Sequence, residues 1–389
     1  GASIAPPALD HRPTLAPMAA LGTTMSSTDA DNDLIVGAPT STVGTKPARR
    51  SVGWAEGAVG GGDGGGGGHG GGGDDACATE KSATVANDAA VEGKAPGYYW
   101  FDLNDPSWPT FLEKEGYVVV KCVVSEDDVA TAKSLIWNDL EGAYGVDRNE
   151  PATWAQSAWR LPISGLCANL AQSAGPWHLR GLANVRKAFG AIWGTEELIT
   201  SMDAVVIWRP WWAAPEGERW MPRTEGLHLD QNPFSKPQKD CIQGMVPLID
   251  VTEDVGGLQV VPRSHSDEAK VGFRERHPEM DGIGDWCMLK PWDGDGKGSM
   301  LLCAEKGDLI LWDSRTIHGG IVRKGKQGGA TDEAPDLARM TCTVAMTPRE
   351  WASEEVQQAR REGQAAGLSF NHCPHEAGES SGTIHAKRR

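Results

Sequence analysis

Between residues 203 and 349 the chain consists largely of short apolar runs punctuated by Gly, Pro and Asp, and this pattern limits its fold more than any other feature. Among the runs are DAVVIWRP (203–210), CIQGMVPLID (241–250), GGLQVVPRSH (256–265), KGDLILWDSR (306–315) and ARMTCTVAMTPR (338–349). They are short for helices and rich in β-branched and aromatic residues, which suit a pleated, half-buried surface. The Gly and Pro residues between them are turn formers. Many short strands of this kind cover one another only by closing into two sheets. The expected fold class is therefore mainly β, a double-sheet jelly roll with helices packed outside.

Helical signals flank these runs. EGYVVVKCVV (115–124) reads as a strand, and Ser125 then caps a helix with Val129, Ala132, Leu135, Ile136 and Leu140 on one face. GLANVRKAFGAIWG (181–194) predicts a helix ended by Gly194. TEELITSM (195–202) predicts a short third helix, and EWASEEVQQARREGQAAG (350–367) a surface helix near the end. Residues 151–180 read as irregular, with Trp154, Trp159 and Trp177 packing over the core. No internal repeat is present.

Residues 1–95 form a different region. From Gly57 to Gly73, 13 of 17 residues are Gly, and 15 of the 16 Trp lie after position 99. A tract with so little to bury cannot offset its ordering entropy, so 1–95 is expected to be a disordered Gly/Ala-rich segment and 96–389 the folded domain. His69 lies in that tract and reads as a linker residue. The chain begins with Gly rather than Met, as a processed or partial chain would, so no targeting segment is read from it.

The net charge is −16, from 37 Lys and Arg against 53 Asp and Glu. That balance argues against nucleic acid or an anionic membrane surface as a partner. No apolar run of 18 or more residues suggests a membrane span. The eight Cys include no CxxC pair, and Cys241, Cys303 and Cys342 sit in strand-like runs as small hydrophobes would. A reducing compartment, cytoplasmic or other, is the expectation.

Within EGLHLDQNPF (225–234), His228 and Asp230 stand two residues apart, so on a strand they point the same way. Alone, such a pair is equally a metal site, a proton relay or chance. LILWDSRTIHGG places His318 just past a later strand, which a jelly roll can bring beside an earlier one. Two His and one carboxylate form the facial triad that holds Fe(II) and leaves positions open. A chelating keto acid also needs a cation for its far carboxylate. Arg339, opening the strand after His318, has the planar fork that suits one. Gln243 is expected on the inner side of its strand, as a partner of co-substrate or substrate or as a buried amide bonded to backbone.

Taken together, EGYVVVKCVVSEDDV, GLHLDQ, QGMVPLIDVTEDVGGLQVVPRSH, KGDLILWDSRTIHGG and RMTCTVAMTPR resemble the phytanoyl-CoA dioxygenase family over roughly residues 97–375. The resemblance implies a double-stranded β-helix core and an Fe(II)- and 2-oxoglutarate-dependent dioxygenase that uses O2 and releases succinate and CO2. It implies His228, Asp230 and His318 as iron ligands and Arg339 as the 2-oxoglutarate anchor. Because Asp230 is present, where related halogenases carry a small residue, it implies hydroxylation or desaturation of a small organic or lipid-like substrate. Two positions depart from the family pattern. Twenty residues separate His318 from Arg339 where about ten are usual, which makes Arg323 a rival anchor. Gly320 stands where better-known members have a Ser or Thr that touches the co-substrate.

Two other readings stay open: a zinc-dependent hydrolase or isomerase on the same ligands, and a non-catalytic binding module. The sequence does not determine oligomeric state. Of the remaining polar residues, His265 is expected to brace a turn, and Asp313 and Arg315 to form a structural ion pair. His372 and His375 are expected in a C-terminal loop packed on the barrel. Trp208, Trp211, Trp212 and Trp220 either wall a pocket or cap the barrel.

Overall fold

The computed structural model describes residues 99–326 and 336–376. The expectations for residues 1–95 lie outside that range. In chain order the elements are β1 (Trp100–Asp102), α1 (Trp108–Glu115), β2 (Tyr117–Lys121), α2 (Glu126–Tyr144), β3 (Leu166–Cys167), α3 (Ala174–Gly181) and α4 (Ala183–Trp193). Then follow β4 (Leu198–Thr200), β5 (Val205–Trp208), β6 (His228–Leu229), β7 (Ile242–Pro247), β8 (Gly256–Val260), α5 (Asp267–Arg276) and β9 (Cys287–Met288). The chain ends with β10 (Met300–Leu301), β11 (Leu309–Asp313), β12 (His318–Val322), β13 (Arg339–Pro348) and α6 (Glu354–Ala365).

The strands form two sheets. The larger runs β1-β2-β11-β7-β13-β5-β3, with β4 added to β13, and the smaller runs β10-β8-β12-β6-β9. From β5 to β8 successive strands alternate between the sheets, and from β10 to β13 they do so again. Crossing back and forth in this way makes a jelly roll, and all pairings except β1 with β2 are antiparallel. The helices stay outside, α1 against β2, and α3 and α4 against β13.

The larger sheet carries most of the buried core. Val118, Val119, Val120, Leu309, Ile310 and Leu311 are fully buried, as is β13 from end to end. α2 starts where the sequence places it, the Ser125 hydroxyl accepting from the Asp128 N–H at 3.1 Å, and it buries Val129, Ala132, Ile136 and Leu140. Leu135 is only half buried. Gly194 ends α4 with φ +69°. Trp154 and Trp159 are core residues and Trp177 is half buried. No helix among the described residues is long and apolar enough to cross a membrane.

Two expectations are corrected. TEELITSM is not a helix: Leu198–Thr200 is strand β4, in register with Met346–Pro348. The ten-residue β13 runs past its partners β5 and β7, and its unpaired backbone groups are satisfied by β-branched Ile199 and Thr200. The stretch 151–180 is not wholly irregular either, since it holds β3 and α3, the latter packed on α2.

Candidate active site

His228 opens β6 and His318 opens β12, and the two are direct cross-strand partners in the smaller sheet. Their rings lie 4.6 Å apart. Asp230, one alternation beyond His228, turns its carboxylate between them, 3.5 Å from His228 Nε2 and 3.2 Å from His318 Nε2. Leu229 between them points the other way and is fully buried. The strand period thus puts the two polar residues on the inner face and the apolar one behind.

The far ring nitrogens fix the tautomers. His228 Nδ1 faces the Gly226 carbonyl at 3.0 Å, and His318 Nδ1 faces the Thr316 carbonyl at 2.8 Å. A carbonyl only accepts, so each Nδ1 carries a proton and each Nε2 faces Asp230. Burial pulls His228 below the ordinary imidazole range against the pull of Asp230. Burial also works against the Asp230 charge, yet the imidazoles of His228, His372 and His318 hold its carboxyl well below the usual carboxylate range. Two imidazole nitrogens and one carboxylate oxygen, all within 4.8 Å, form a donor set for a divalent ion. A donor set of two nitrogens and one oxygen suits iron(II) or zinc.

The facing sheet supplies the second part. Gln243 on β7 donates from Nε2 to Asp230 Oδ2 at 3.0 Å, so its amide holds a ligand carboxylate in place. Two residues on, Met245 Sδ lies 3.5 Å from Arg339 Nη2. Arg339 is buried, its guanidinium stacked 4.6 Å from the Trp208 ring centroid, with Thr341 Oγ1 3.4 Å from Nε. No carboxylate among the described residues pairs with it. Burial lowers Arg339 to about 10, so it is charged at neutral pH. Arg323 differs: it is exposed and lies 4.0 Å from Glu253 on the surface.

The structure separates the remaining candidates. A Cβ at Gly320 would come within 2.7 Å of Thr224 Cγ2, so Thr224 fills the inner face there. His265 Nε2 meets the Glu113 carbonyl at 2.8 Å and braces the turn after α1, away from the triad. Arg315 makes two bonds to the Asp313 carboxylate, at 3.0 and 2.9 Å, and the pair is structural. Trp208 lies under Arg339 with Trp211 beside it, whereas Trp220 joins Trp154 in the core.

Two neighbours of the triad carry no signal in local sequence. Trp286, in the Gly- and Asp-rich loop before β9, has its ring 6.2 Å from His228 and is 44% exposed. His372 reaches in from the other side, Nδ1 3.9 Å from Asp230 Oδ2. They face each other across a cleft beside Asp230, and Lys236 ties its two lips by pairing with both Asp285 and Glu376. His375 turns away from the triad to Cys373, 3.8 Å from its Sγ.

The family model for phytanoyl-CoA dioxygenase (PhyH) matches residues 189–324, a span that holds His228, Asp230 and His318 and stops before Arg339. The chain is 26% identical over 286 residues to "Ava biosynthesis cluster protein O" of Aspergillus versicolor, covering 69% of this chain and 86% of the relative. It is 23% identical over 256 residues to a "Putative phytanoyl-CoA dioxygenase" of Dictyostelium discoideum, covering 55% and 70%. A crystal structure of the epimerase SnoN with Fe3+, alpha ketoglutarate and nogalamycin RO is similar at 17% identity and TM-score 0.39, covering 61% of this chain and 81% of that one. Residues 189–324 of this chain are thus similar to the phytanoyl-CoA dioxygenase family, whose model matches that span.

Proposed function

We propose that this protein is an iron(II)- and 2-oxoglutarate-dependent oxygenase that hydroxylates or desaturates a small organic or lipid-like substrate. The observation that carries this reading is a buried guanidinium with no carboxylate partner among the described residues, joined through Met245 and Gln243 of β7 to an open two-His, one-carboxylate donor set. A cation cannot be buried unpaired without cost, and arginine cannot shed its proton to escape it. An anionic ligand completes it, and a dicarboxylate that also chelates a metal fits both ends.

His228, Asp230 and His318 would hold the iron. Bound there with 2-oxoglutarate, iron(II) would supply O2 activation coupled to decarboxylation of the keto acid to succinate and CO2. The chain's own part is placement. Gly226 and Thr316 orient the imidazoles and Gln243 steadies Asp230. Arg339, flattened on Trp208, offers a bidentate fork to the far carboxylate. The inter-sheet apolar walls keep water from that charge pair and strengthen it. Substrate would reach the metal between Trp286 and His372, an aromatic face on one side and a polar ring on the other.

The test is spectroscopic. Anaerobic protein is loaded with iron(II) and titrated with 2-oxoglutarate while the visible metal-to-ligand charge-transfer absorption is followed. A saturable band in wild type, abolished together with iron binding in Asp230→Ala, is expected. Iron binding without a band would end the co-substrate reading and favour a zinc hydrolase or a non-catalytic binder. Turnover of Asp230→Ala at a wild-type rate would remove the site assignment itself.

A further inference from the structure

A second group of ligand-type side chains borders the same cleft as Asp230 and shares no donor with the triad. Cys373, His375 and Glu376 each offer one donor atom, all within 4.8 Å of one another. Cys373 is buried against Cys241, which precedes β7, and against Ala345 of β13, and the Cys241 thiol donates to the His372 carbonyl at 3.5 Å. His375 is set by two contacts. Its Nδ1 faces Thr347 Oγ1 at 3.3 Å, and its ring meets Trp351 edge-on at 5.4 Å. Those contacts aim Nε2 at Cys373 Sγ, 3.8 Å away. Glu376 is held by Lys236 through one oxygen and by the Asn371 amide, 3.5 Å away, through the other.

This is how metal ligands are usually supported. A ligating His is oriented through its other nitrogen, and a ligating carboxylate is itself hydrogen-bonded. Zinc bonds of about 2.3 Å to sulfur and about 2.0 Å to nitrogen put those two atoms roughly 3.5 Å apart in a tetrahedron. The observed 3.8 Å is a few tenths of an ångström wider.

We propose that Cys373, His375 and Glu376, with Cys241 packed beside them, form a site for a thiophilic divalent ion of the zinc class. It is chemically distinct from the triad, which offers no sulfur, so the two sites would sort metals by softness. Binding replaces the Cys373 thiol proton, which leaves to solvent, and closes the donors around the ion. The site joins the start of β7 to the segment that carries His372, so the ion would fix the lip of the cleft that stands 3.9 Å from Asp230. It does not depend on the co-substrate reading.

The test uses the full chain and cobalt(II) as probe. Reduced, metal-free wild type is expected to bind two equivalents. Asp230→Ala, which silences the triad, should keep one equivalent with thiolate-to-cobalt charge transfer in the near ultraviolet, displaced by zinc. Cys373→Ser should lose that band, and His375→Ala should weaken zinc binding by a hundredfold or more, with circular dichroism confirming that both variants fold. A wild type whose bound cobalt shows no sulfur band, at whatever stoichiometry, overturns the proposal. So does a Cys241–Cys373 disulfide found by thiol counting in freshly purified protein.

Discussion

Arg315, just after β11, and Arg339, at the start of β13, are both buried, 8% and 4% exposed, yet among the described residues only Arg315 has a counter-charge. Arg315 spans both oxygens of Asp313 and also donates to the Pro237 carbonyl. Burial opposes its charge, but Asp313 outweighs burial and raises its pKa. Arg339 has an aromatic face, a thioether and a hydroxyl instead. Lys270 on α5 is a third case. It is 2% exposed, its Nζ has no hydrogen-bond partner, and it sits 5.4 Å from the Phe273 ring. One cation is satisfied by the fold, one can shed its proton, and one can do neither. The third kind marks where a ligand belongs.

The largest effect expected from this contrast is at Arg315. Arg315→Ala leaves the Asp313 carboxylate buried and alone, which costs about 3–5 kcal/mol. Urea denaturation should show that loss, while iron(II) affinity of the folded protein stays within a few-fold of wild type. An unchanged midpoint would mean the pair stabilises nothing and would remove the contrast.

The same residues show how much the sequence discloses. His228 and Asp230 are legible because strand alternation is local, and Asp313 with Arg315 because two residues on a tight turn meet readily. Arg339 is recognisable as a strand-opening cation, but its lack of a partner is a property of three dimensions. His372 and Trp286 are invisible as triad neighbours, since only long-range closure brings them there. Strands β6, β9 and β10 have two residues each, too few to show a period. Helix α3, AGPWHLRG, carries Gly and Pro that lower its propensity, and tertiary packing on α2 supports it. β4 was misread because Glu196 and Glu197 suggest a helix start, whereas the free edge of β13 decides the outcome.

Next in size is Lys270. Burial lowers its pKa to about 7 against the pull of Asp313. A lysine depressed in the folded state binds fewer protons there than in the unfolded chain between about pH 7 and the ordinary lysine range near 10.4. Wild-type stability therefore gains a rising component with pH across that window, and the full penalty applies below it. Lys270→Met removes the charge and keeps the volume, so it should stabilise by roughly 2–4 kcal/mol at pH 7. The gain should shrink toward pH 10. A gain that stayed constant across the window would show that packing, not proton release, governs this site.

The smallest of the three effects decides whether Arg339 belongs with the others. Arg339→Met keeps much of the stem on Trp208 and removes only the charged fork. If the guanidinium is an unmet cost in the free protein, the denaturation midpoint should hold or rise, the opposite of Arg315→Ala. If it is the anchor for a carboxylate, the Kd for 2-oxoglutarate, read from the charge-transfer band, should rise roughly ten- to a hundredfold, the loss of one or two charge-assisted bonds. The wild-type midpoint should also rise on adding 2-oxoglutarate with iron, because a ligand that binds only the folded state stabilises it, and that rise should vanish in the variant. A variant that loses stability and keeps co-substrate affinity would place Arg339 beside Arg315 as a structural cation. The buried charge at the start of β13 would then need a partner other than a ligand.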